Sequence, residues 1–186
     1  MANRAYLYAS DTDDDQAWEL PDDSEYYDSR HTIPVAWWFL LDPSDVRFVN
    51  VCSWGATWQV LRFVANRVDA LDRFRARRSL LNSLIGTHLD ELQLDYFVAV
   101  LSEWPGRFLL LDPDEILQDD PVEDAQLILP TLTGLKQGSL TENEVLQGLQ
   151  RFSAITPCGR PEISVVGYNY GPIGERIATQ MQGLNQ

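Results

Sequence analysis

The hydrophobic and polar positions of this chain fall into alternating blocks that predict several helices and few strands. Tyr6-Leu7-Tyr8 is short and aromatic and reads as a strand. A polar stretch follows from Ser10 to Thr32, and then Ile33 to Leu41 is apolar all round. Thr32 before Pro34 favours a buried helix there, while the β-branched and aromatic content favours a strand. The balance leans to helix. Over residues 56–78, Leu61, Val64, Val68 and Leu71 recur at i, i+3, i+7 and i+10, with Trp58 and Phe74 extending the stripe, which predicts one amphipathic helix. A short helix is expected from Leu80 to Ile85, ended by Gly86. Thr87 with Asp90 predicts the next helix start, whose buried face carries Leu89, Leu92, Tyr96 and Val100 and which Pro105-Gly106 stops.

Phe108 to Leu111 is a continuous apolar run, expected as a strand buried on both faces. Asp120-Pro121 with Glu123 starts another helix, which Pro130 is expected to kink or split. Thr141 and Glu144 form a capping box. Ile163 to Tyr168 reads as a last strand, and Gly167, Gly171, Pro172 and Gly174 then interrupt regular structure. The expected fold is α+β, predominantly helical, with a small sheet of about three short strands at 5–9, 107–111 and 163–168 and helices on one face. Residues 1–186 are expected to form a single domain, with an acidic loop at about 10–32 and a loose C-terminal tail from about 175. Leu40-Leu41-Asp42-Pro43 is echoed by Leu110-Leu111-Asp112-Pro113, which reads as one turn chemistry used twice: Asp accepts N–H bonds and Pro occupies the first turn.

Charge changes this picture most. The 28 acids against 14 bases give a net −14. Residues 1–30 and 110–186 each carry −7, whereas 31–109 holds eight acids and eight bases. Such a field repels phosphate and anionic lipid and favours cationic partners, whether a basic protein surface, a metal ion or a basic ligand; a basic protein is the expected partner, and neither nucleic acid nor membrane is expected. Thirteen of the 14 bases are Arg, and Arg73, Arg75, Arg77 and Arg78 crowd one helix end. They are expected to pair with the chain's own carboxylates. Asp13, Asp14, Asp15, Asp22 and Asp23, with Tyr26 and Tyr27, are the candidate partner-binding residues, since aromatics anchor interfaces. Trp54, Trp58, Tyr168 and Tyr170 also lie in or beside expected loops.

Asp11, Asp13 and Asp15 alternate as calcium ligands do in an EF-hand loop. The match breaks at Gln16, where Gly is needed, and at Asp22, where Glu is needed. A solvated acidic loop is the favoured reading, with a metal-responsive protein as one alternative. The other is a small hydrolase or ligand-binding enzyme using Asp or Glu with His31 or His88, the two histidines. No sequence signature of zinc, phosphate-loop, dinucleotide or serine-nucleophile chemistry occurs, so no catalytic residue and no cofactor are expected. Cys52 and Cys158 lie far apart and read as fillers. The opening residues lack a signal-peptide core, and no apolar run is long enough to span a membrane, which places the expectation in the cytoplasm.

The run Asn3-Arg4-Ala5-Tyr6-Leu7-Tyr8, followed by a polar loop and Ile33-Pro34, resembles a family of uncharacterised bacterial proteins that open on Asn-Arg-x-Tyr-Leu-Tyr. The resemblance covers about the first fifth of the chain and implies a bacterial cytoplasmic protein without a known activity. Acidity, size and missing motifs are alike in character to immunity proteins that neutralise toxins. The expected function is therefore a non-enzymatic acidic protein-binding domain of immunity or antitoxin type.

Overall fold

The computed structural model describes residues 4–13, 25–53, 55–85, 91–113, 116–117, 120–153 and 166–183. Six strands form one antiparallel sheet: β1 (Arg4–Ser10), β2 (Tyr26–Arg30), β3 (Val46–Ser53), β4 (Ala56–Asn66), β5 (Phe108–Asp112) and β6 (Tyr168–Tyr170). Their order is β3-β4-β5-β1-β2-β6. Among the described residues six helices accompany them: α1 (Val35–Trp38), α2 (Arg67–Ile85), α3 (Glu91–Glu103), α4 (Pro121–Gln137), α5 (Glu142–Leu149) and α6 (Pro172–Gly183). This overturns the expectation of a predominantly helical chain with about three short strands.

The largest correction falls on residues 56–66, which are strand rather than the first half of a helix. Leu61, Phe63 and Ala65 point into the main core, and Val60, Arg62 and Val64 are buried on the other face. A strand buried on both faces loses its polar alternation, and its apolar positions then mimic a helical stripe. The chain passes from strand to helix at Asn66, whose side-chain oxygen accepts from the Val68 and Asp69 amides. That is N-cap chemistry. From there α2 runs unbroken through Ile85, so the separate 80–85 helix is its last turns.

Strand β3 pairs with β4 over eight positions, from Val46 opposite Phe63 to Ser53 opposite Ala56. Gly55, at φ +78°, takes the left-handed turn conformation that joins them. Strand β2 lies within the expected acidic loop and pairs with β1 on one side and β6 on the other. The last strand is at 168–170; residues 163–165 of the expected strand, and 86–90 of the expected helix start, lie outside the described residues.

All six helices contribute to one core against one sheet face. At its centre are Trp37, Trp38 and Trp104 with Phe63, Phe74 and Phe97. The apolar segment 33–41 is a short helix and turn, wholly buried. Both of its indoles find acceptors: Trp37 donates to the Val166 carbonyl at 3.0 Å, and Trp38 to the Ser153 hydroxyl at 2.7 Å. Buried indoles without partners would cost about 1–3 kcal/mol each. Helix α4 starts as expected, with the Asp120 carboxylate accepting from Val122 and Glu123 amides. It is not split by Pro130. Buried Ile128, Thr131, Leu132 and Leu135 hold both halves to the core, which offsets the hydrogen bond Pro130 removes. The Thr141–Glu144 capping box starts α5. Residues 175–183, within the tail expected to be loose from about 175, belong to α6, which docks on α3 through the Tyr96 hydroxyl donating to the Gly174 carbonyl and an Arg176–Glu103 ion pair.

The Arg cluster is spent inside the fold. Asp42, at the turn after α1, accepts from Arg77 at 2.5 Å and Lys136 at 3.1 Å, with Arg73 at 3.5 Å. Arg73 also reaches Asp45 at 2.9 Å and the Leu40 carbonyl, and Arg77 reaches the Phe39 and Leu41 carbonyls. Arg75 pairs with Asp72 and Arg78 with Asp95. Burial pushes the Asp42 carboxyl up, but the Arg77 and Lys136 hydrogen bonds and the Arg73 charge outweigh it and hold it below the ordinary carboxylate range. Asp45 is pushed the other way: its burial outweighs the Arg73 charge.

Candidate functional site: a tyrosine-lined sheet face

The second face of the sheet carries no described helix. Its side chains follow from register. Tyr6 lies opposite Asp28 and Asp112, and Asp28 opposite Tyr168. Tyr8 lies opposite Tyr26 and Leu110, and Tyr26 opposite Tyr170. Paired residues share a face. Two rows therefore cross β5, β1, β2 and β6: Asp112-Tyr6-Asp28-Tyr168 and Leu110-Tyr8-Tyr26-Tyr170.

The second row grades from buried to exposed. Leu110 and Tyr8 are buried, Tyr26 is half-buried, and Tyr170 is 44% exposed. In the first row Tyr168 is 54% exposed. The Tyr26 and Tyr170 rings stack at 5.0 Å with an 18° interplanar angle, and Tyr6 meets Tyr26 edge-on at 6.0 Å. Stacking fixes these rings before any partner arrives, which lowers the entropy cost of using them. Charged pairs frame them. Arg4 meets Asp28 at 3.1 Å, and Arg62 meets Asp112 at 2.9 Å with both side chains nearly buried. Burial raises the Tyr8 phenol above its ordinary range, the Asp112 carboxylate adds to this, and Arg62 partly opposes it.

The sequence-derived candidates divide sharply. Tyr26 belongs to this face. Tyr27 points the other way, into the core, where it packs edge-on against Phe97 and beside Trp104. Burial, followed by the proximity of Tyr96 and Glu25, raises its phenol. Asp13 and Asp11 are exposed just beyond β1. Asp14, Asp15, Asp22 and Asp23 lie outside the described residues, as do His88, Trp54 and Cys158. His31 is exposed after β2 in a left-handed conformation, φ +66°, with no described carboxylate bonded to it. Among the described residues, no three His, Cys, Asp or Glu side chains gather as metal ligands. A surface cleft is lined, among the described residues, by Leu80, Leu140, Thr141, Glu142 and Asn143, with one carboxylate and no histidine.

Sequence reasoning missed Tyr6 as a partner of Tyr26 and Tyr170. The signal was present: Tyr6-Leu7-Tyr8 and Tyr168-Asn169-Tyr170 both read Tyr-x-Tyr, and in a strand such a pair shares one face. Among the described residues no helix is long and apolar enough to cross a membrane. No protein-family model, no curated protein and no solved structure matches the chain.

Proposed function

We propose that the chain is a non-enzymatic protein-binding domain whose tyrosine-lined sheet face engages a basic protein partner. The observation that carries this reading is the pair of exposed tyrosines on β6, Tyr170 in register with and stacked on Tyr26, and Tyr168 opposite Asp28 on the same face. Tyrosine supplies large contact area at low entropy cost and presents a π-face to Arg or Lys. The chain's charge supplies the sign of the partner. Nine of its bases are engaged by its own carboxylates in the ion pairs described above, Arg151 with Glu123 and Asp124 included. The excess acid, a net −14, is left to act outward. A negative field accelerates encounter with a positive surface and rejects negative ones. An immunity or antitoxin-like role, in which an acidic protein occupies a basic toxin surface, accounts for both features.

The test compares immobilised wild type with Tyr168→Ala/Tyr170→Ala in capture from the native lysate at low and high salt. The expected result is a basic protein retained by wild type at low salt, weakened at high salt and lost with the variant. Capture of nothing, or of the same proteins at the same levels by the variant, contradicts the proposal.

A further inference from the structure

The two edges of the sheet differ. Edge strand β6 has three residues, whereas β3 at the other edge has eight. All the ladder bonds of β3 go to β4. Among the described residues no backbone hydrogen bond joins the outer side of β3 to another element. Half of its amides and carbonyls thus form a ready template for another strand. Natural edges of this length are blunted by proline, lysine, a bulge or a covering element. Strand β3 has no Pro and no Lys, and its pairing with β4 runs without a bulge. Its one charge, Arg47, folds back onto the Ser44 and Val46 carbonyls. Phe48 is 45% exposed beside this edge, on the face that the helices cover elsewhere.

We infer that this edge pairs with β3 of a second copy, antiparallel, to join two sheets into one. Charge placement argues for that occupant. The β3–β4 hairpin, residues 46–66, contains no Asp or Glu and two Arg. The segments that carry −7 each supply β1, β2, most of β5 and β6, on the other side of β4. The β3 edge is thus where a second acidic copy meets least repulsion. Antiparallel self-pairing centred on Val49 or Asn50 is two-fold symmetric, so each copy offers what the other needs. Centring there puts Arg47 opposite Val51 or Ser53 of the second copy rather than opposite its own equivalent. Phe48 would then lie opposite Asn50 or Cys52, on the helix-bearing side of the joined sheet. This edge is distant in strand order from the tyrosine rows, so the pairing stands or falls independently of the proposed partner binding.

Sedimentation equilibrium of the full chain tests it, together with Phe48→Lys/Asn50→Lys. Both substituted side chains are exposed, so the variant should keep its fold, verified by circular dichroism. The expected result is a wild-type dimer with Kd below about 100 µM and a monomeric variant. A second readout needs no variant: hydrogen exchange of β3 amides in wild type should slow as protein concentration rises. A monomeric wild type at that concentration overturns the inference. So does a dimer that the variant leaves intact, or β3 exchange that ignores concentration.

Discussion

Replacing Asp42 by Asn should destabilise the fold more than any other single change of one carboxylate to its amide among the described residues. The Asp42 side chain is 9% exposed and faces Arg77, itself 10% exposed, Arg73 and Lys136. The substitution keeps the volume and removes the charge. Lys136 is more than half exposed and can turn to water, and Arg73 keeps Asp45. Arg77 is the cation left buried, with only neutral acceptors: the Phe39 and Leu41 carbonyls and the amide oxygen of the substituted side chain. Breaking a buried pair from one side costs about 3–5 kcal/mol, and the relief available to Lys136 and Arg73 places this case near 3 kcal/mol. For a domain of this size that lowers Tm by about 6–12 °C. Thermal and urea unfolding followed by circular dichroism measure it. Lys136→Met is the control and should cost no more than about 1 kcal/mol.

The effect has a pH signature. Asp42 has a lowered carboxyl in the fold, so its stabilisation is fully present above the ordinary unfolded value, near 4, and fades as pH falls through the lower folded value. The gap between wild type and variant should therefore close in acid. Asp45, raised by burial, works in the opposite sense: its charge costs stability at neutral pH and that cost disappears on acidification. An Asp42→Asn protein within about 1 kcal/mol of wild type at neutral pH would refute the assignment of this carboxylate as the clasp between the 39–45 turn, α2 and α4.

Three further outcomes follow from the packing. Gly148→Ala would drive a methyl group into the Thr131 hydroxyl at the α4–α5 contact, and should cost about 1–3 kcal/mol in urea unfolding. Ser153→Ala leaves the buried Trp38 indole and the Ile33 carbonyl without their shared hydroxyl, and should cost about 2 kcal/mol by the same assay. Tyr8 and Tyr27 have phenols raised by burial, so folding is favoured below the ordinary value near 10 and progressively lost above it. Ultraviolet titration should show these two phenols ionising only together with unfolding.

Local chemistry was the legible part of the sequence. Asp120-Pro121 and Thr141 with Glu144 start helices where their side chains can reach orphan amides, a relation confined to four residues. The Arg73–Arg78 cluster needed only an acid-rich chain to supply its partners, and Asp42, Asp45, Asp72 and Asp95 do so. Strand content was not legible because it depends on both faces at once. Val60 to Ala65 is buried on either side and carries no alternation, and β2 looks like loop because Asp28 and Arg30 lie on its outer face. The boundary at Asn66 was missed, although Asn with Asp69 three residues on is a helix-start pattern, because the apolar stripe ran straight across it. Tyr27 was unreadable as core: nothing in Tyr26-Tyr27 says which ring faces Phe97.

The central claim is that the tyrosine rows form the contact with a basic partner. Once a partner is captured, isothermal titration calorimetry of that purified protein against wild type and against Tyr168→Ala/Tyr170→Ala is the most direct measurement. Two exposed aromatic anchors removed together should weaken binding by about 2–4 kcal/mol, roughly 30- to 1,000-fold in Kd, while the lost Tyr26–Tyr170 stack lowers Tm by only a few degrees. Equal affinity for both proteins would contradict the account.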